Sequence, residues 1–319
     1  MTGTDGERPR AGAEARASTE PPQVKGSASV GVVGAVALGV VGVAIFAGTL
    51  PATRLAVAEL DPMFVTFGRA AVAALLAAPL LALGGTPLPR GKGLAWLAGA
   101  SLFLIVGFPL SMAFAMTSVS AGHGGVVLAI LPLTTALAAT AVSGERPGSA
   151  FWALSAAGGA TVLAFVLAQG GGTISAGDIF LLFAACAAAF GYAFSGNLSR
   201  TMPGWAVISW ALVLSFPVTA PLAVLLAPAA PAGVGASAWA GFAYVALFSM
   251  FLGFFFWNAA MALGGVAKVG QLQLLQPFLT ILIAAVVAGE AVSATTLVFA
   301  AAVVAIVALA QRARVRRAE

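Results

Sequence analysis

The stretch ILPLTTALAATAVSGE at residues 130–145 returns as LQPFLTILIAAVVAGE at residues 275–290. Pro132 falls on Pro277 and the pair Gly144-Glu145 on Gly289-Glu290, a constant offset of 145 residues that also carries Gly125 onto Gly270, Thr135 onto Thr280 and Met116 onto Met261. Alanine-rich apolar sequence produces chance identities, so the fixed distance from the proline to the Gly-Glu pair carries the argument. If each copy holds an odd number of membrane crossings, the second copy stands upside down relative to the first, the plan on which many secondary transporters are built.

Composition places the chain in lipid. With 61% hydrophobic and 8% charged residues and a mean hydropathy of +1.05, the chain cannot clothe itself in polar surface as a soluble domain must. The net charge of +5 is spread between apolar runs and gathered at the termini, without the basic, aromatic-laced patch that nucleic acid requires. Residues 1–29 mix Gly, Ala, Pro, Ser and Thr with charges of both signs and have too little apolar area to order themselves, so a disordered cytoplasmic tail is expected there. The apolar run that follows is long enough to span and is expected to be retained as the first helix. The single cysteine, Cys186, excludes an intrachain disulfide and a Cys-based metal cluster.

A helix needs about 20 apolar residues to cross the hydrocarbon core. Charged or Pro/Gly-rich breaks divide the chain into ten such runs, at 30–50, 63–83, 94–116, 122–143, 149–168, 177–197, 205–227, 238–262, 266–288 and 294–311. Five fall in each copy, so the expected fold is an all-α membrane protein of ten transmembrane helices in two inverted five-helix repeats, 30–168 and 177–311, with a basic tail at 312–319. With the N-terminus inside, Arg90, Lys92, Arg146, Arg200, Lys268 and the tail arginines all fall on the cytoplasmic side and only Arg54 falls outside. Adding or removing one helix scatters these charges over both faces. Both termini are therefore expected in the cytoplasm, with the chain multi-pass in a bacterial inner membrane.

Two tandem five-helix units, each closing its fourth helix with a mid-span proline and a terminal Gly-Glu, resemble the drug/metabolite transporter superfamily, in particular its EamA-type exporters. The residues that carry the resemblance are Pro132 with Gly144-Glu145, Pro277 with Gly289-Glu290, and the first-helix exit from Phe46 to Arg54 followed by Asp61-Pro62 and Arg69. It covers about residues 30–310. The resemblance implies a ten-helix basket in which the first four helices of each unit surround a central cavity and the fifth packs outside. It leaves the substrate open, because similar proteins carry amino acids, sugars, nucleotide derivatives or drugs.

Several residues are candidates for the substrate path. Pro132 and Pro277 each lack an N–H and oppose the carbonyl four residues earlier, that of Leu128 or Gln273, so each is either a packing kink or a hinge. Gln273, Gln276 and Thr280 share one helix face across the Pro277 position and either tie helices together or line the path. Arg69 is a full charge inside a span, where it either faces a cavity or pairs with Glu59 or Asp61 at the outer end. Tyr192, Trp257 and Asn258 add aromatic and amide groups. His123 is the single imidazole, and no carboxylate lies near the middle of any span.

A membrane enzyme is not supported, because the chain has one His, one Cys and no paired acids within its spans. Nor does it contain an H-E-x-x-H or a Walker loop, so zinc proteolysis and ATP-driven pumping find no residues. No cofactor or metal is expected, and the partners are the bilayer and a small-molecule substrate, with monomer and homodimer both open. The reading is a secondary transporter that moves a small metabolite, an amino acid or similar, outward by alternating access. The alternatives are a multidrug or nucleotide/sugar-derivative carrier of the same fold, or a channel or non-transporting membrane protein.

Overall fold

Wherever the chain must cross hydrocarbon, its N–H and C=O groups have to find partners within the chain, and helices are the way an open chain achieves this. The computed structural model of the protein describes residues 2–3, 25–143, 146–199, 201–264, 271–312 and 315–316. Of the tail expected at 1–29, residues 1 and 4–24 lie outside them, whereas residues 25–29 are helical, because the first helix already begins at Lys25. Seven helices are long and apolar enough to cross a membrane: Val33–Val57, Pro62–Gly84, Lys92–Ala115, Ser149–Gln169, Ala176–Leu198, Gly204–Leu225 and Ala236–Trp257. An eighth crossing is available if Ala121–Leu128 and Leu133–Val142, bent by 43° at their junction, form one span. Two shorter apolar helices, Leu272–Val287 and Ala294–Ala310, occupy the ninth and tenth runs. The one β element among the described residues is a two-residue antiparallel bridge from Arg146–Pro147 to Val315–Arg316.

Local chemistry sets the helix ends. Asp61 accepts from the Met63 and Phe64 amides (2.8 and 3.1 Å) just before Pro62 opens the second helix. Ser175 and Asp178 form a reciprocal capping box at the start of the sixth. The first helix runs past the expected end at residue 50 and reaches Val57, with a short interruption at Gly48. Restarting there places Pro51 in the first turn of Thr49–Val57, where its missing N–H costs least.

The two copies pack across each other. The principal helix contacts join the second segment to the seventh, the fifth to the tenth, and the first half of the fourth to the ninth. They also join the first to the eighth and the third to the sixth, and, less evenly, the second half of the fourth to the sixth and the ninth to the first; exchanging the two copies turns each member of these couples into the other. The contact pattern is thus its own image under exchange, as a pseudo-two-fold relation requires. Small residues permit the approach. Ala70, Ala73, Ala74 and Ala77 form a fully buried stripe on the second segment, packed with Val207, Ile208, Ala211 and Leu212 of the seventh. The opposite surface of the bundle is apolar and exposed, as at Leu75, Leu83, Val224 and Leu225, which suits lipid.

A close backbone approach joins the first and eighth segments. A Cβ on Gly241 would stand 2.4 Å from the Ala52 carbonyl oxygen and 3.0 Å from the Ala56 nitrogen. Backbone cannot step aside as a side chain does, so Gly241→Ala is expected to destabilise the protein by about 1–3 kcal/mol. Gly159→Ala, where nothing lies within 4 Å of the new Cβ, is expected to be neutral or stabilising. Thermal unfolding of the two variants in detergent measures the difference, and equal melting temperatures would refute the close approach.

Candidate functional site

Several helices of this bundle are broken at positions that correspond between the two copies, and these breaks converge. A π-helical segment interrupts the third segment at Ser101–Gly107 and another interrupts the eighth at Tyr244–Leu252, positions that overlap at the 145-residue repeat offset. The fourth segment breaks between Leu128 and Leu131, and in the ninth a 3-10 turn at Gln271–Leu275 precedes the α-helix that starts at Gln276. Non-helical backbone at membrane depth is tolerated where protein or a polar cavity surrounds it. Here the irregular segments gather around a cavity.

Corresponding positions of the two copies face this space. Leu104 and Ser249, Leu128 and Gln273, and Leu131 and Gln276 all line it, and the members of each pair stand 145 residues apart. In each pair the polar member belongs to the second copy. Phe46, Phe108, Met112 and Phe254 supply apolar wall, and Thr49, Arg69, Tyr192 and Thr280 supply further polar groups.

Arg69 is 3% exposed and lines the cavity. Its Nη2 donates to Ser249 Oγ (3.2 Å), and that hydroxyl is 2.8 Å from Thr49 Oγ1, so a short polar chain links three segments. Neither acid expected near it is a partner. Asp61 caps its own helix, and Glu59 accepts from the Gly235 amide (2.7 Å). Thr280 donates to the Ala47 carbonyl (3.0 Å), which Pro51 leaves without its helical donor. Tyr244 donates to the Ile45 carbonyl (2.9 Å) directly over Gly48, where a Cβ would meet the phenol oxygen at 2.4 Å. Of the expected site residues, the structure brings Arg69, Tyr192, Gln273, Gln276, Pro277 and Thr280 together around one space.

The remaining expected site residues stand elsewhere. Trp257 is buried against Val43 and Phe46, outside the cavity lining, because its indole fills the seam between the first and eighth segments. The side chains of Asn258 and Pro132 lie outside the described residues, as do Lys268 and Glu145. The Pro132 backbone opens a new helix at Leu131–Ser143, and Pro277 opens Gln276–Val287 in the same way. Each proline thus stands in a first helical turn, and the break lies just before it instead of at a mid-helix kink. His123 is paired with Asp178 (Nε2–Oδ1 2.6 Å) and its ring lies beside Phe165, away from the cavity. Among the described residues no three His, Cys, Asp or Glu side chains cluster as a metal site would need.

A second polar cluster closes one end of the bundle. Glu290 accepts from the Ala121 and Gly122 amides at a helix N-terminus (2.7 and 2.9 Å) and pairs with Arg54 Nε (3.2 Å). Arg54 also donates to the carbonyls of Met116 and Val119. Gly289 enters this arrangement at φ +65, which favours glycine and accounts for the Gly before the repeated Glu. Sequence reasoning did not single out this cluster, although a signal was present: Arg54 is the exception to the cytoplasmic placement of Arg and Lys.

The profile of the EamA-like transporter family matches residues 33–167 and again residues 175–311. "Uncharacterized transporter YdeK" of Bacillus subtilis (strain 168) is 44% identical over 274 residues, which cover 86% of this chain and 96% of that protein. A solved structure described only as "Crystal structure of protein" superposes with a TM-score of 0.58 at 19% identity, over 87% of this chain and 98% of that one, a likeness of fold alone. Matched twice by the family's profile and over most of its length by a transporter at this identity, the chain belongs to the EamA-like transporter family.

Proposed function

We propose that the protein is a secondary transporter that carries a small metabolite, an amino acid or similar, outward across the bacterial inner membrane by alternating access. The observation that carries this reading is a cavity lined by corresponding positions of both copies. If the copies are inverted, such a cavity lies at their interface, and exchanging their conformations moves its mouth from one face to the other. All ten apolar segments cross in this reading, and both termini lie in the cytoplasm.

Contacts between segment ends support that arrangement. Arg54–Glu290, Glu59–Gly235 and His123–Asp178 each join positions assigned to the outer face. Trp210 Nε1 donating to the Thr86 carbonyl, and Arg146 paired with Arg316, join positions assigned to the inner face. One error in the helix count would place partners of the same contact on opposite sides of the membrane. The Arg54–Glu290 cluster then serves as an outer closure between the copies, released when the carrier turns outward.

Three outcomes follow. With Cys186 replaced, a single cysteine near Arg90 should resist an impermeant thiol reagent added to whole cells, whereas one near Pro231 should react; the reverse pattern would sink the ten-span arrangement. In proteoliposomes, efflux of a radiolabelled amino-acid mixture should accelerate when unlabelled amino acids are supplied on the far side. Efflux indifferent to the far side marks a channel. Glu290→Gln should weaken the closure and speed labelling from outside of a cysteine at Met112 in the cavity wall. A bias of about 1.4 kcal/mol would raise the outward-open population ratio roughly tenfold. Unchanged labelling would mean that the cluster only caps a helix.

A further inference from the structure

Arg69 is a buried guanidinium with unused donors. It is 3% exposed, lines the cavity, gives Nη2 to the neutral hydroxyl of Ser249, and has no hydrogen-bond partner at Nε. The ion pairs among the described residues are Arg54–Glu290 and His123–Asp178, and neither includes it. The described residues lining the cavity include no carboxylate. Arginine carries five N–H donors in a planar fork and keeps its charge, so a buried one without an anion leaves both charge and hydrogen-bonding capacity unmet. At membrane depth such a charge is costly and points to a site.

We infer that the anion is supplied by the substrate: the cavity takes a small organic monocarboxylate with an apolar body, and Arg69 holds its carboxylate. This rests on the proposed transport function and narrows its substrate. The planar fork matches a carboxylate in two-point geometry, and of the Ser249 and Thr49 hydroxyls beside it one proton goes to their mutual bond and the other is left as a further donor. Arg69 is the one cation among the described lining residues, so a single negative charge is neutralised and a doubly charged phosphate ester is left in excess. Phe46, Phe108, Met112 and Phe254 offer an apolar surface for the rest of the molecule, while Gln273 and Gln276 offer donors and acceptors to one further neutral polar group. A lipophilic cation would meet like charge at the same place.

The test uses the purified full-length protein and measures its melting temperature with leucine, isovalerate and phenylacetate, with isovaleramide and phenylacetamide, with inorganic phosphate and with tetraphenylphosphonium. At least one carboxylate should stabilise the wild type, and its amide should bind at least about tenfold more weakly, as expected when a charge-assisted hydrogen-bonded pair is lost. Arg69→Gln should weaken the carboxylate by a similar factor and Arg69→Lys by less. Should these variants fail to fold, the acid-against-amide comparison on the wild type decides by itself. Amide bound as tightly as acid, preference for phosphate or tetraphenylphosphonium, or no stabilisation by any carboxylate overturns the inference. Counterflow separates the two readings. A carboxylate that binds and is not exchanged refutes transport and leaves the anion site standing. Exchange of only neutral or cationic solutes refutes the anion site and leaves transport standing.

Discussion

Pro51 removes the donor that the Ala47 carbonyl would otherwise receive within its helix, and Thr280, from the other copy, supplies it at 3.0 Å. In hydrocarbon an unmet carbonyl costs several kcal/mol, roughly, so this bond determines where the first helix can break and what must stand beside the break. The ninth segment is held against the first by it. Tyr244 serves the Ile45 carbonyl one half-turn earlier, and Gly48 leaves room for its phenol. Together these bonds fix three segments around an irregular stretch of backbone, and that stretch forms one wall of the cavity.

The same requirement runs through the other breaks. The gap before Leu131 and the 3-10 turn before Gln276 interrupt the α-helical ladder, which lipid cannot compensate, and beside them the third and eighth helices loosen into π segments that keep their bonds within the chain. They are tolerated because they gather around one interior space, and the repeat ensures that they do so in pairs. Duplication supplies two similar sets of breaks, and the pseudo-two-fold contact pattern brings them face to face. Divergence between the copies then differentiates the walls: Leu128 and Leu131 remain apolar while Gln273 and Gln276 are amides.

Charge is distributed by the same logic. Arg54 and Glu290 neutralise one another at a segment end, where the Glu also serves two amides of a helix N-terminus. His123 and Asp178 form a second, more buried pair at the start of the fourth and sixth segments, so the single imidazole is committed to holding helices together. Arg69 alone among these groups meets only neutral oxygen. That contrast separates groups used for assembly from the group that faces the cavity.

Membrane class and duplication were legible in the chain because they depend on local quantities: hydropathy over about 20 residues and the spacing of Pro from Gly-Glu. Gln273, Gln276 and Thr280 were singled out by helical spacing and do line one space, although Gln273 stands in a 3-10 turn before the helix that carries the other two, and Arg69 was singled out as a charge within an apolar run. Partnerships were not legible, since they join residues as far apart as Ala47 and Thr280 or Arg54 and Glu290. Nothing in the sequence around Trp257 and His123 distinguishes a cavity wall from a seam between helices. Only the packing of one copy against the other decided that Trp257 fills a seam, that His123 meets Asp178, and that each repeated proline begins a helix after a break. Hydropathy and periodicity are properties of neighbouring residues; the donor that completes a broken helix comes from whichever segment the fold brings alongside it.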